Sequence, residues 1–352
     1  MNKINTNSFD FLRIVFASTV LFRHLIELSQ VQQFEPFLPF FNTRLAISGF
    51  FVISGFLIAK SYEKNPSLNI YFWRRIKRIV PAYFTVIMLC ATLLWFVSEL
   101  SFSAYFSDTQ FWKYLIANLT FQNYIEPCLP NLFEKNMICA VNGSLWTIKI
   151  EEGFYLSVPL FYWLLRTKKM NFWVLSILIY VFAIAYYNYF NSIDLYVIAK
   201  QLPGAMAFFV SGIILFKKFD FFYKHKNAII APCLIAFILE YYVFKTHLLM
   251  PFSFAFMTFY LAYSLKYLNR FGKHGDFTYG IYIFHFPLIQ LFVSLSLFTK
   301  YNPIMVSLVL TILTLSLSVF SWNYIELPFL SKDRKIRQNK LLLTNKKKHA
   351  NR

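Results

Sequence analysis

Residues 9–25 read FDFLRIVFASTVLFRHL, an apolar run long enough to enter a membrane that nevertheless carries Arg13, Arg23 and His24. On insertion scales an arginine at the centre of a spanning helix costs about 2.5–3.5 kcal/mol, so ionisable residues there need a reason. Position lowers the cost for two of the three. A helix starting near Ser8 puts Arg13 about one and a half turns from one membrane surface and Arg23 near the other, where long side chains snorkel to the interface. His24 has no such stem. Arg13 and His24 are eleven residues apart, and at about 100° per residue they return to one helix face, about 16 Å apart along the axis.

The rest of the chain has the same character. Of its 352 residues 58% are hydrophobic and 14% charged, with 44 Phe, 23 Tyr and 7 Trp, the composition of a polytopic membrane protein. A net charge of +19 would suit a nucleic-acid partner, but in membrane proteins Lys and Arg gather in cytoplasmic loops, so the distribution decides. Hydropathy places about ten spans, near residues 8–28, 42–61, 80–100, 145–165, 171–190, 196–216, 227–244, 250–268, 277–298 and 303–324. The expectation is an all-α integral membrane protein. With the N-terminus inside, the cytoplasmic segments carry Lys60, Lys64, Arg74, Arg75, Lys77, Arg78, Arg166, Lys168, Lys169, Lys217, Lys218, Lys224, Lys226, Lys266, Arg270 and Lys273. The opposite loops carry only Arg44, Lys113, Lys135, Lys245 and Lys300. That asymmetry predicts that both termini are cytoplasmic. Features of a cleaved signal peptide are missing at the start, so the first helix is expected to be retained. The chain divides into a membrane unit, 1–330, and a basic tail, 331–352, expected to lie on anionic lipid.

Four further stretches carry charge or ionisable groups where apolar residues would be cheaper. In YFWRRIKRIVPAY, residues 71–83, Arg75 and Arg78 share a helix face on the inner side just ahead of the third span. Their forked guanidiniums suit phosphate better than lysine would. The same cluster also follows from topology or lipid contact alone. In NGSLWTIKIEEGFYLSVPL, residues 142–160, Lys149, Glu151 and Glu152 stand at the opening of a span behind a Ser144 able to cap it. Either Lys149 and Glu152 form an internal ion pair, or the group lines a polar cavity entered from outside. In DFTYGIYIFHFPLI, residues 276–289, His285 sits in an aromatic span, where a lone histidine is by default a hydrogen-bonded structural residue. In WNYIELPFL, residues 322–330, Glu326 reads by default as a surface carboxylate near a helix end.

The longest connection, residues 101–143, is an outer segment and the candidate acceptor side. It holds Cys128 and Cys139, a disulfide in an oxidising compartment and two free thiols otherwise. Cys90 and Cys233 read as membrane-core residues, and the cysteines have no metal-site spacing.

Together these stretches resemble the membrane acyltransferase-3 family, the O-acyltransferases of bacterial surface polysaccharides, over nearly the whole chain. Arg13 and His24 meet its first-helix pattern of Arg, ten residues, His, with Asp10 preceding. SGFFVISGFLI, residues 48–58, is similar to its second helix, and Arg75 and Arg78 followed by Pro81 and Tyr83 meet its RxxR pattern. SLWTIKIEEGFY, residues 144–155, which includes Trp146, is similar to its Trp-Ser-Leu-Ser-Val-Glu-Glu-Gln-Phe-Tyr stretch, and YGIYIFHFP and YIELP match its last signatures. Arg23, Lys149 and Gly153 depart from the pattern.

The resemblance implies an O-acetyltransferase of a bacterial inner (cytoplasmic) membrane. Acetyl-CoA, or another acyl-CoA, would be its cytoplasmic donor, with no permanently bound cofactor and no metal. The acceptor would be a hydroxyl of a surface or lipid-linked glycan: O-antigen, capsule or exopolysaccharide. In that reading Arg75, Arg78 and Arg13 hold the donor, while His24 acts at the thioester as general base or acyl relay. Glu151 or Glu152 orients the imidazole or binds acceptor hydroxyls, and Asp10, Trp146, His285 and Glu326 are further candidates. Membrane lipids are neighbours and nucleic acid is not a partner. The alternative is a transporter or flippase of lipid-linked sugars, whose intramembrane charges would line a pathway.

Overall fold

The structure, a computed structural model, describes residues 6–273 and 275–330. The basic tail from residue 331 lies outside them. Among the described residues the regular elements are all helices, with residues 120–145 irregular: α1 (Phe9–Ser29), α2 (Thr43–Lys64), α3 (Leu68–Leu93), α4 (Phe102–Ser107), α5 (Thr109–Leu119), α6 (Trp146–Arg166), α7 (Phe172–Ser192) and the single turn α8 (Tyr196–Ala199). There follow α9 (Leu202–Lys217), α10 (Phe219–Leu239), α11 (Met250–Ser264), α12 (Thr278–Ser294), the turn α13 (Leu297–Lys300), α14 (Pro303–Phe320) and the short α15 (Leu327–Phe329).

Each of the ten expected spans overlaps helix, but the bounds differ: α3 begins at Leu68 and α10 at Phe219, earlier than hydropathy places them, and 196–216 is divided between α8 and α9. Among the described residues six stretches are long and apolar enough to cross a membrane: Thr43–Lys64, Leu68–Val97, Phe172–Ser192, Tyr196–Lys217, Phe219–Phe244 and Pro303–Phe329. Two of the others, α1 and α6, fall short because of their charges: α1 holds Asp10, Arg13, Arg23 and Glu27, and α6 holds Lys149, Glu151, Glu152 and Arg166. Both carry candidate site residues, Asp10, Arg13 and His24 on α1 and Trp146, Glu151 and Glu152 on α6.

The chain forms two compact units, and α1, α3 and α6 contribute residues to both. The first comprises the chain up to Phe16, Arg44–Trp73 and Ile150–Phe271. Its core is aromatic, with Phe56, Phe219, Phe256, Phe259 and Tyr263 buried together. Here α2 and α9 touch backbone to backbone: a side chain on Gly55 would strike the Phe209 carbonyl, and one on Gly212 the Val52 carbonyl. Small residues give helices in lipid this close approach, which replaces the hydrophobic drive available in water. The second unit comprises Ala17–Thr43, Arg74–Lys149 and the chain from Gly272. Its core joins Leu25, Ile26 and Leu28 of α1 to Phe286, Ile289 and Phe292 of α12 and Leu310 of α14.

Two expectations of local structure are corrected. The basic cluster at 74–78 lies within α3, which begins at Leu68, because backbone hydrogen bonding continues through charges at which hydropathy breaks. Ser144 does not cap α6: its hydroxyl, with a single hydrogen to share, lies 2.6 Å from Asn142 Oδ1 and 3.1 Å from the Tyr282 carbonyl.

Candidate active site

In the second unit α1 and α12 bring the two histidines of the sequence reading together. His24 Nδ1 lies 2.9 Å from His285 Nε2, and His285 Nδ1 lies 2.9 Å from the carbonyl oxygen of Ile281, one turn back on α12. The ring planes are within 7° of parallel with centroids 5.2 Å apart, the arrangement of two rings hydrogen-bonded edge to edge. A carbonyl oxygen only accepts, so His285 Nδ1 carries the hydrogen. In the neutral ring Nε2 is then the acceptor, and His24 Nδ1 donates to it. This leaves the lone pair on His24 Nε2, which has no hydrogen-bond partner among the described residues. His285 is fully buried, whereas His24 is partly exposed. The pair therefore has a buried end fixed to the backbone and an accessible basic end.

The surroundings follow from Pro287. A proline inside α12 removes the N–H that would bond the Ile283 carbonyl four residues back. Asn142 Nδ2 takes that carbonyl at 2.8 Å, Ser144 takes that of Tyr282, and Thr147 Oγ1 lies 2.7 Å from the Tyr282 hydroxyl. The broken helix thus ties the residues around the start of α6 to the turn that bears His285. Phe286 packs its ring edge-on to His24, with centroids 5.1 Å apart, and a side chain on Gly143 would come within 2.7 Å of that ring. Further along α12, the fully buried Gln290 donates at 2.7 Å to the carbonyls of both Ile138 and Ala140. It thereby clamps the long connection 101–143, in which Cys128 and Cys139 are bridged.

Arg78 is placed differently from the sequence reading. Its NH2 group donates to Asp276 at 2.7 Å and its NH1 group to Glu326 at 2.5 Å. Glu326, expected at the surface, is 0% exposed. The cause is a π-helical turn, Ser321–Glu326, after α14, which turns Trp322 and Glu326 inward. Ser321 also bonds Glu326, and Thr278 donates to Asp276, so the buried carboxylates are well satisfied. Asp276, Asn142 and Gln290 carried no signal in the sequence beyond their polarity.

The remaining candidates are not all gathered here. Asp10 and Arg13 belong to the first unit, 4.0 Å apart on α1. So do Glu151, which accepts from Tyr155 at 2.5 Å, and Glu152, which makes no hydrogen bond or ion pair among the described residues. Trp146 and Lys149 belong to the second, where Lys149 bonds Gln122. Arg23, beside His24, is held by Glu27 at 2.6 Å and by the Leu38 carbonyl at 3.1 Å, which keeps its charge with a partner. The first unit has its own polar cluster, in which Arg44 donates to His247 at 2.8 Å. Burial, and then the Arg44 charge, push His247 down to about 4. Among the described residues no group of three or more His, Cys, Asp or Glu is arranged to hold a metal.

A helical membrane protein with an accessible, oriented imidazole at a proline-bearing aromatic helix has the makings of a group-transfer enzyme. Comparison of the chain with known proteins gives the class: residues 6–323 match the acyltransferase-3 domain family, described as an acyltransferase domain, and the chain belongs to that family. It is 28% identical to an O-acetyl transferase of Shigella phage Sf6 over 93% of this chain and 97% of that one. It is 27% identical to the acyltransferase MdmB of Streptomyces mycarofaciens over 35% of this chain and 29% of that one. It is 28% identical to the peptidoglycan O-acetyltransferase OatA of Listeria monocytogenes over 33% of this chain and 19% of that one. No solved structure matches. The protein is an acyltransferase with several membrane-spanning helices.

Proposed function

We propose that the protein moves an acetyl or other acyl group from cytoplasmic acyl-CoA to a hydroxyl of a glycan presented outside the bacterial inner membrane. The observation that carries the reading is the hydrogen-bonded run from His24 through His285 to the Ile281 carbonyl, which leaves His24 Nε2 as the basic atom. In the reaction His24 Nε2 takes the proton of the acceptor hydroxyl while the hydroxyl oxygen bonds to the thioester carbonyl carbon. The carbon–sulfur bond then breaks, and the departing CoA thiolate recovers the proton from His24. The family membership and the O-acetyl transferase relatives support acyl transfer to oxygen. Arg75 is the proposed cation for the donor's phosphates in the unit that holds the histidine pair. Arg78, its fork occupied by two carboxylates, is proposed to hold α3 in place. Glu151 and Glu152 remain acceptor-side candidates. The family membership and the O-acetyl transferase relatives, and not the histidine pair, weigh against a flippase, since histidine chains also relay protons in transporters.

Mass spectrometry of surface glycans from cells with and without the protein tests the proposal. Acetyl-sized mass differences lost on mild base should depend on it and should vanish in His24→Ala at unchanged protein level, because the base acts in the transition state more than in donor binding. Full acetylation in His24→Ala would overturn it.

A further inference from the structure

Lys149 is in an unfavourable place for a cation. It lies in the first turn of α6, at the positive end of the helix dipole, and that turn has no acidic residue. Its Nζ donates to Gln122 Oε1 at 3.1 Å and lies 4.4 Å from the centroid of the Tyr124 ring. Neither an amide oxygen nor a ring face cancels a full charge. Among the described residues Lys149 is in no ion pair: Glu151 and Glu152, two and three residues further along α6, form none with it, and Glu126, near its partners in sequence, accepts from Gln110.

Two further donors lie in the same short run. Asn123, between Gln122 and Tyr124, is only 6% exposed, and its Nδ2 has no hydrogen-bond partner among the described residues. The Nε2 group of Gln122 has none either. A buried amide N–H without a partner costs about 1–3 kcal/mol, which applies to Asn123; with the part-exposed Gln122 amide and the Lys149 charge beside it, the run is short of an anionic acceptor. Tyr124, 63% exposed, offers an aromatic surface beside these donors. Thr147, two residues before Lys149, is bonded to Tyr282, whose ring is 6.0 Å from that of His285. The group therefore belongs to the unit that holds the histidine pair, and it lies in and beside the outer segment.

We propose that Gln122, Asn123, Tyr124 and Lys149 form an acceptor subsite for an acidic sugar: Lys149 faces a carboxylate or phosphate on the glycan, the two amides donate to its oxygens, and Tyr124 packs on the sugar's apolar face. The inference rests on the reading of the protein as a glycan acyltransferase. It adds that the acceptor is anionic.

The test is binding of the detergent-solubilised full chain to three tetrasaccharides of matched length, followed by saturation-transfer NMR: a hexuronate, its carboxyl-reduced neutral counterpart, and a phosphorylated form of the latter. The wild type should bind at least one acidic probe about tenfold tighter than the neutral one, and which acid wins identifies the anion. Lys149→Met should abolish the preference, Lys149→Arg should keep it, and Tyr124→Ala should weaken all three probes alike. Equal binding of all probes by the wild type, or a preference that survives Lys149→Met in folded protein, overturns the subsite. If Lys149→Met does not accumulate, Gln122→Leu with Asn123→Leu takes its place and should weaken the acidic probes; unchanged binding overturns the proposal. Acyl transfer to the probes is read separately by mass spectrometry. An acidic preference that needs Lys149 supports the subsite even where no acetyl group moves, and equal binding overturns it even where transfer proceeds.

Discussion

The imidazole of His24 is backed by another imidazole and not by a carboxylate. A carboxylate would favour a protonated His24 at rest, whereas a neutral ring fixes the tautomer without adding charge, and it suits a base that must begin unprotonated. His285 is accordingly a positioning residue, and its replacement should act on turnover. His285→Phe keeps an aromatic ring among Tyr282, Phe286 and His24 but removes the acceptor for His24 Nδ1. We expect kcat to fall about 100-fold with KM for acyl-CoA nearly unchanged, while His285→Gln, whose amide oxygen accepts, recovers part of the loss. Initial rates in membranes normalised to protein level check this, and an unchanged kcat in His285→Phe would return His285 to a packing role. His24 was legible in the sequence because a short ionisable side chain inside an apolar run is expensive. The role of His285 was not, because its partner is 261 residues away and a lone histidine in an aromatic helix says nothing about what faces it.

At the scale of the element, the RxxR segment of α3 divides its two arginines between different tasks. Arg78 is 13% exposed and bonded to carboxylates exposed by 8% and 0%, so it anchors α3 to the lead-in of α12 and to the turn after α14. Removing one partner of such a group leaves a buried charge uncompensated, at a cost of about 3–5 kcal/mol. Arg78→Met and Glu326→Gln should both lower the melting temperature of the solubilised protein. Arg75→Lys should weaken binding of labelled acyl-CoA, because charge is kept while the planar fork is lost. Unaltered acyl-CoA affinity in Arg75→Lys and Arg75→Ala would remove the donor role and leave the arginine to topology. The sequence displayed the pair but not this division. Spacing of three puts both side chains on one face, whereas the acids that claim one of them come from Asp276 and from a π-helical turn that no hydropathy pattern signals. Pro287 is the contrasting case: a proline in an apolar helix announces a freed carbonyl, and the structure supplies Asn142 to meet it.

For the whole molecule the decisive quantity is how much apolar helix surface stays uncovered. Only 11% of the most apolar stretch of Phe219–Phe244 is buried, and 28% of those of Phe172–Ser192 and Pro303–Phe329, so most of these helices require lipid as their neighbour. Helix positions were readable from hydropathy because lipid imposes the same demand all along a span. The division into two units was not, because it cuts through α1, α3 and α6 and leaves no linker to read. Charge predicts the sidedness. Translocation disfavours Lys and Arg, and the segments around 60–78, 166–169, 217–226 and 266–273 hold sixteen of them against five in the opposite loops. Reporter fusions after Lys169, Lys218 and Lys273 should therefore report the cytoplasm, and fusions within residues 101–143 the exterior. The disulfide offers an independent reading of the same geometry: Cys128 and Cys139 are bridged in the outer segment, while Cys90 and Cys233 are buried free thiols. A membrane-impermeant maleimide should label intact cells only after reduction, and a Cys128→Ser, Cys139→Ser double variant should not label at all. A cytoplasmic report from the 101–143 fusions, or an exterior one after Lys218, would reverse the sidedness. It would place Arg75 on the face without CoA, and the donor assignment would fail even if His24 proved essential.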